Sequence, residues 1–386
     1  MLGITSPNIT PFMFGIGCRN MIGTKAKELG ITKVMVVTDK VIAGTGLLDA
    51  IFASLDGAGV GHILYDGVVP DPTDVCVDEG GKLARENGVD GIIAVGGGSS
   101  LDTGKCINLL LNNEPPISKY FVPAMPERVT HPMITVPTTA GSGAECTNGA
   151  IITNTELNVK VPVGLCCPHY IFVDPEMYVG LPVKTSVYCG FDALTHALDL
   201  MTSKTGEELT CVLTEEATRL IAEYLPKLVD DPTNLEVRSK LALAATLSGE
   251  CLNTDYNGTH YSHSIGHSVG AKTHMQHGLA CGFAVPQILE RLASITPVKL
   301  RRFCDCMGFG LDPNLSNNQY GKQAKAKMQE FMRSVGIQNV KELGYKLEDL
   351  LSAIPLVLTD IITVFGWPAQ LDYEDFVDII TEAYDQ

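Results

Sequence analysis

The chain predicts an α/β nucleotide-binding domain over residues 1–183, followed by an all-helical C-terminal domain over residues 184–386. Three observations carry this. The first half alternates short, β-rich apolar runs with helical patterns, the signature of a parallel sheet covered by helices. A triple glycine ends one of those runs and opens a helical stretch. Beyond residue 183 the β-rich runs nearly vanish and helical periodicity takes over. The length of 386 residues sets the same expectation of two domains, because one hydrophobic core rarely grows that large.

Taken in order, "KVMVVTD" (33–39), "GIIAVGG" (91–97) and "PMITVP" (132–137) read as buried strands, each ending near Gly, Asp or Pro. Between the first two, the apolar spacing of "DPTDVCVDEGGKLARENG" suits an amphipathic helix with Asp71 or Thr73 near its cap. The boundary falls near "DPEMYVGLPVKTS", which Pro175 and Pro182 punctuate. Helices follow in "KTSVYCGFDALTHALDLM", "EELTCVLTEEATRLIAEYLPKLV" and "EVRSKLALAATLSGECL". No internal repeat or low-complexity segment interrupts them.

Composition narrows the function. A net charge of −16 leaves no basic surplus for a polyanion, which argues against a nucleic-acid partner. A single nucleotide remains compatible, since backbone N–H groups and a helix N-terminus can hold phosphate without many cations. The N-terminal stretch lacks the basic start and apolar core of a secretory signal. No apolar run is long enough for a membrane span. The twelve cysteines are scattered, with Cys166 and Cys167 adjacent, a single C-x-C at Cys304 and Cys306, and no C-x-x-C. Reduced thiols in a cytoplasmic protein are the expectation.

The stretch "VGGGSSLDTGK" (95–105) fails both familiar nucleotide fingerprints. Ser99 stands where a P-loop requires glycine, and Cys106 where it requires Ser or Thr; the glycines are consecutive, so G-x-G-x-x-G is not met either. The physics survives the spelling. A buried strand runs into residues without Cβ and then into a helix whose first N–H groups are unpaired, which suits a pyrophosphate, with Ser99 and Ser100 adding hydroxyls. The plainer reading is a tight strand-to-helix turn. Lys105, two helical turns along, lies too far from the loop to reach a phosphate resting on Gly97 and Gly98.

Five of nine histidines fall between 260 and 277, in "HYSHSIGHSVGAKTHMQH". His263 and His267 are four apart and share a helical face, as do Asp192 and His196 in "GFDALTHALD". Gly266 and Gly270 offer a place to turn and bring His277 back. Two such pairs on neighbouring helices can converge on one divalent ion, and an Asp/His donor set suits Fe(II), Zn(II) or a similar metal. One imidazole would be left over to move protons.

In this order and spacing, "GGGSSLDTGK", "PTTAGSGAECT", "GFDALTHALD" and "HSIGHSVGAKTHMQHG" resemble the iron-containing, group III alcohol dehydrogenases, with likeness running from "FMFGIG" to "HGLACGFAVP". The resemblance implies a dehydroquinate synthase-like fold. It assigns Asp192, His196, His263 and His277 as metal ligands and His267 as the histidine linked to proton transfer. It sets Gly97, Gly98 and Ser99 against the pyrophosphate of NAD(H), with Asp102 just inside the helix. Thr138, Thr139 and Ser142 would line the cofactor, and Lys160 would reach it. Asp39 matches the acidic position that meets the adenosine ribose, which favours NAD over NADP.

This chain departs from the pattern at Ala144, which removes a hydroxyl, and at Asp71, which adds an acid near the nucleotide. His260 replaces a small residue beside the metal segment; if it or Lys272 faced the substrate, a polar or anionic substituent would be favoured. Gly149 would leave room in the pocket. The implied activity is reversible hydride transfer between NAD(H) and a small primary alcohol or its aldehyde, with the metal as Lewis acid. The alternatives are a dehydroquinate-synthase-like lyase acting on a sugar phosphate, and a metal-binding relative without catalysis. A homodimer or larger homo-oligomer is the implied assembly.

Overall fold

The computed structural model describes residues 10–124, 126, 131–157, 159–164, 166–204, 208–254 and 258–386. Two compact units are present, one comprising Asn8–Thr139 and Gly143–Gly180, the other Ala140–Ser142 and Leu181–Gln386.

The first unit holds β1 (Phe12–Phe14), β2 (Lys33–Asp39), β3 (Gly61–Val68), β4 (Gly91–Gly96), β5 (Met133–Pro137), the hairpin β6 (Gly149–Asn154) and β7 (Val159–Gly164), and β8 (Tyr170–Val173). Its helices are α1 (Ile22–Glu28), α2 (Lys40–Ala43), α3 (Asp49–Ala58), α4 (Asp74–Glu86) and α5 (Gly98–Asn112). The six-stranded sheet runs β1-β8-β5-β4-β2-β3, and every pair in it is parallel. The three strands read from sequence are its centre. Each is buried along nearly its whole length, as parallel strands covered on both faces must be.

The connections decide where a ligand can sit. From β2 the chain passes through α3 to β3 on one side, and from β4 through α5 to β5 on the other. Met35, Val37, Ile92 and Ala94 pack in one cluster with Val77, Leu101 and Ile107 of α4 and α5, so alternate residues such as Val34 and Val36 face the opposite layer. Strand order therefore reverses between neighbours β2 and β4. Outside the carboxyl ends of such strands a crevice opens, and that is where open α/β sheets bind ligands. Thr73, not Asp71, caps α4, its hydroxyl accepting from Cys76 N–H at 3.2 Å, while Asp71 adopts φ 52° two residues earlier.

The second unit is helical: α6 (Val183–Thr202), α7 (Glu208–Asp230), α8 (Leu235–Thr254), α9 (Tyr261–Thr273), α10 (His277–Gly282), α11 (Val285–Ile295), α12 (Pro297–Cys306), α13 (Asn317–Ser334), α14 (Leu347–Leu351), α15 (Ile354–Val357) and α16 (Tyr373–Tyr384). Its core draws on Phe191, Leu194, Leu198, Ile265, Leu279 and Phe283. From Ser186 onward α6 is buried on every side, which explains a sequence apolar all round except at its chemical positions.

Candidate active site: a buried carboxylate–histidine cluster and a glycine turn

Asp192, His196 and Asp199 recur along α6 at intervals of four and three, so they share one face. α9 brings His263 and His267 on a second face, and α10 begins at His277. Three backbones must approach closely to join these faces, and glycines allow it. A Cβ on Gly278 would lie 1.9 Å from the Tyr188 carbonyl oxygen of α6, and one on Gly266 would lie 2.2 Å from Cys281 Sγ of α10. Gly266 and Gly270 thus stay inside α9 and do not turn the chain, contrary to the sequence expectation. The turn is made by His274, in the left-handed region at φ 56°, whose N–H caps α9 on the Gly270 carbonyl. His is among the few non-glycine residues found there with any frequency.

The ligand atoms converge on one carboxylate oxygen. Asp192 Oδ1 lies 3.5 Å from His277 Nε2, 3.7 Å from His263 Nε2 and 3.9 Å from His196 Nδ1. These are long for hydrogen bonds. They suit atoms sharing an ion, since ligands about 2.0–2.2 Å from a tetrahedral centre sit roughly 3.3–3.6 Å apart. Asp192 Oδ1, His196 Nδ1 and His263 Nε2 are buried and have no hydrogen-bond partner. A buried unsatisfied polar atom costs about 1–3 kcal/mol, and a cation among these three would satisfy them together. The donor set therefore fits a divalent metal.

His196 stands slightly apart: its ring stacks on that of His263 at 4.2 Å, while the tightest grouping of ligand atoms consists of Asp192, His263, His277 and Cys281, all within 4.8 Å of one another. Cys281 was not anticipated. It sits one turn after His277, its sulfur 3.7 Å from His277 Nε2.

Asp199 supplies the outer support. Its fully buried carboxylate Oδ2 accepts from His263 Nδ1 at 3.0 Å, from Ser262 Oγ at 2.7 Å and from the backbone N–H of His260 at 2.9 Å. Holding the proton on Nδ1 leaves His263 Nε2 as the lone-pair donor, which is how carboxylates commonly orient ligating histidines. Burial works to raise both Asp192 and Asp199, yet neighbouring histidines outweigh it: His277, His196 and His263 for Asp192, and His260 and His263 for Asp199. Both carboxyls are held well below the usual range and stay ionised. His196 is pushed down to about 3, by burial first and then by the adjacent His263, so it is a neutral donor. Two buried negative charges at one place make a site that favours a cation.

His260 does not face a substrate. It is completely buried, its Nδ1 accepting from Tyr261 N–H at 2.7 Å and its Nε2 bonded to Thr202 Oγ1 at 2.7 Å, so it caps α9 and braces α6. Lys272 is exposed in the last turn of α9. The cluster opens at its other end: side-chain exposure rises from 2% at His263 to 19% at His267 and 35% at His277, whose rings stack at 5.6 Å. His267 Nδ1 bonds Asp360 Oδ2 at 2.8 Å, a contact across 93 positions that no motif signalled.

In the sheet unit, β4 ends at Gly96 with φ 148°, where a Cβ would lie 2.5 Å from Ser100 Oγ. Gly97 is the N-cap of α5, and no side chain occupies the helix N-terminus. Thr139 packs 3.2 Å from where a Gly97 Cβ would be, and Thr138 N–H donates to the Gly96 carbonyl at 2.9 Å. Asp39 ends β2 beside the same turn: Oδ1 accepts from Val41 and Ile42 N–H at 2.8 and 3.0 Å, and Oδ2 points toward Gly96. Gly97, Gly98, Ser99, Thr138, Thr139 and Asp39 thus surround the crevice that the topology creates.

Other predicted residues are placed differently. Asp102 accepts from Ile151 N–H at 2.9 Å and pairs with Lys105 at 3.3 Å, a strut from α5 to β6. Lys105 is fully buried and also donates to Thr147 Oγ1 and the Gly149 carbonyl, so its work is structural. Gly149 likewise serves the hairpin: its Cβ would lie 3.3 Å from the Val163 carbonyl. Lys160 pairs with Asp71 at 2.7 Å, which neutralises the acid expected to repel NADP. Ser142 belongs to the helical unit, in a short segment whose Gly141 lies against Cys189 of α6.

A parallel sheet with a glycine turn at its switch point, and a helical unit carrying a buried Asp/His cluster, define a metal-dependent dehydrogenase. The sequence model for iron-containing alcohol dehydrogenase matches residues 10–175 and that for the C-terminal part of the same family matches residues 186–384, so the chain belongs to the iron-containing alcohol dehydrogenase family. It is 30% identical over 374 residues to the NAD-dependent methanol dehydrogenase of Bacillus methanolicus, spanning 96% of this chain and 97% of that one. The lactaldehyde reductase of Escherichia coli K12 is 30% identical over 379 residues, at 96% and 97% coverage. Among solved structures, an alcohol dehydrogenase from Oenococcus oeni superposes with a TM-score of 0.92 at 31% identity, covering 98% of this chain and all of that one. The dehydroquinate synthase-like architecture expected from the motifs is the one observed.

Proposed function

We propose that this enzyme interconverts a small primary alcohol and its aldehyde, exchanging a hydride with NAD(H) and using a divalent metal. The observation that carries the reading is the convergence of orphaned Asp192, His196 and His263 atoms with His277. Those four side chains hold the ion, Fe(II) by family and Zn(II) as the alternative. When bound, the ion supplies Lewis acidity toward an alcohol or carbonyl oxygen, and the nicotinamide supplies the hydride. Asp192 and Asp199 keep their charge in a dry site, and Asp199 sets the orientation of His263 through Nδ1.

His267, partly exposed and beside His277, carries the proton to or from the substrate oxygen. In the sheet unit, the first N–H groups of α5 at Gly98 and Ser99 bind pyrophosphate without needing a cation. Thr138 and Thr139 line the same crevice, and Asp102 fixes α5 beneath it. Asp39 keeps Oδ2 for the ribose hydroxyls and would repel a 2′-phosphate. The partly exposed Lys160–Asp71 pair can yield its ammonium to a phosphate oxygen.

Methanol, lactaldehyde and diol oxidoreductases among the relatives indicate short substrates. With His260 buried and Lys272 exposed at the helix end, neither supports a preference for an anionic substituent. The twelve free cysteines suit a reducing compartment such as the cytoplasm. No helix among the described residues is long and apolar enough to cross a membrane. Exposed Phe12 and Phe14 on edge strand β1, with exposed Ile16 just beyond it, suit burial in a homodimer or larger homo-oligomer. The reading is tested by NADH oxidation across unsubstituted, hydroxy- and carboxy-substituted short aldehydes, with Fe(II) and Zn(II) in parallel. Turnover of at least one neutral aldehyde is expected. Metal-independent turnover, or none with any aldehyde, would contradict it.

A further inference from the structure

Asp360 lies between α15 and the segment that carries Trp367, far in sequence from every motif, yet both of its carboxylate oxygens are committed. Oδ2 accepts from His267 Nδ1 at 2.8 Å and Oδ1 accepts from Ile362 N–H at 3.0 Å. Its side chain is only 10% exposed. The loop that bears it is clipped to α9 at a second point one turn away. There, Thr363 Oγ1 and Ser264 Oγ lie 2.5 Å apart, and Trp367 Nε1 donates to Ser264 Oγ at 2.9 Å. Ser264 and His267 are three apart on α9, and Asp360 and Thr363 are three apart in the loop, so the two contacts run in parallel. The Asp360 carbonyl closes the turn by accepting from Thr363 and Val364 N–H at 3.1 and 3.0 Å. Such a loop cannot slide along the helix without breaking both contacts.

The arrangement matters because of what it does to the imidazole. A carboxylate bound at Nδ1 fixes that nitrogen as the protonated one and sets the ring plane, so the remaining nitrogen keeps one role. His267 Nε2 has no partner among the described residues. We propose that Asp360 is a positioning residue for His267, holding the ring in a single orientation with the proton on Nδ1 and Nε2 free to exchange a proton with the reactants. This rests on the assignment of His267 as the proton carrier. The role parallels that of Asp199 toward His263, with the freed nitrogen serving proton transfer in one case and the metal in the other.

The test uses metal-loaded holoenzyme and the isosteric substitution Asp360→Asn, whose amide can offer N–H to the imidazole and so favour the wrong tautomer. Expected are a roughly 10–100-fold fall in kcat, KM values for aldehyde and NADH within about twofold, and unchanged metal content and melting temperature. In a His267→Ala background the same substitution should change kcat by less than about twofold, because residues acting as one unit are not additive. Wild-type kcat in Asp360→Asn, beside a clear loss in His267→Ala, would overturn the Asp360 role alone. Wild-type kcat in His267→Ala would overturn the proton-carrier assignment and this inference with it. Independently of any variant at Asp360, nitrogen–proton correlation NMR of the Zn(II)-loaded protein should show the Nδ1–H tautomer for the signal that His267→Ala removes. An Nε2–H tautomer there would overturn the proposal.

Discussion

The buried Asp/His cluster and the glycine turn are built by opposite means. In the helical unit the groups brought together are entirely side chain: an oxygen from α6 and nitrogens from α6, α9 and α10, with His263 braced by the buried Asp199. In the sheet unit they are mostly backbone: a strand end with φ 148°, a glycine N-cap and a helix N-terminus without a side-chain cap, with the Asp39 carboxylate beside them. A side-chain site fails when a donor is removed, whereas a backbone site fails when an atom is added. The expected consequences of substitution separate along that line.

Removing a donor has the largest effect. His263→Ala takes away an orphaned nitrogen and leaves Asp199 and Asp192 buried without their shared partner; metal retention and turnover should vanish together. Losing several kcal/mol of Lewis-acid stabilisation corresponds to about a thousandfold in rate. Metal analysis beside single-turnover kinetics checks this, and an active, metal-free variant would break the comparison at once. Asp199→Asn leaves Asp192, His196, His263 and His277 in place and disturbs only the orientation of His263, so metal affinity should weaken about 10–100-fold, read by chelator competition. Equal affinity would mean that α6 and α9 packing alone orients the ring.

On the other side of the comparison, Gly96→Ala adds a Cβ where Ser100 Oγ already stands and where φ favours glycine. NADH should bind roughly tenfold more weakly, with metal content unchanged, as titration of cofactor fluorescence would report; about 1–2 kcal/mol of strain suffices. The smallest effect belongs to Asp39→Ala. If the Asp39 carboxylate is what disfavours a 2′-phosphate, the ratio of NADH to NADPH efficiency should fall by about tenfold or less. An unchanged ratio would move the discrimination elsewhere.

The same contrast explains what sequence could reveal. Donors four apart on a helix announce themselves, so Asp192, His196, His263 and His267 could be found from spacing, and the helices bearing them from periodicity. Asp199 stood two turns beyond Asp192 in a motif already singled out, but its partner His263 lies 64 positions away and only folding joins them. Asp360 had still less signal. The turn before His277 was sought at glycines because they tolerate positive φ, and a left-handed His274 makes it instead. In the sheet, the central strands were legible as continuous apolar runs. The short strands β1 and β8, of three and four residues, carry too few positions for any periodicity to show.

The central claim is that the buried Asp/His cluster holds a divalent ion without which this chain does not turn over. The most direct measurement is NADH oxidation with a short aldehyde by chelator-stripped protein, before and after titration with Fe(II) or Zn(II), beside Asp192→Asn treated identically. The account requires negligible activity in the stripped protein, recovery saturating at one ion per chain, and no recovery in the variant. Full activity in verified metal-free protein, or recovery in Asp192→Asn equal to that of the unaltered chain, would contradict it.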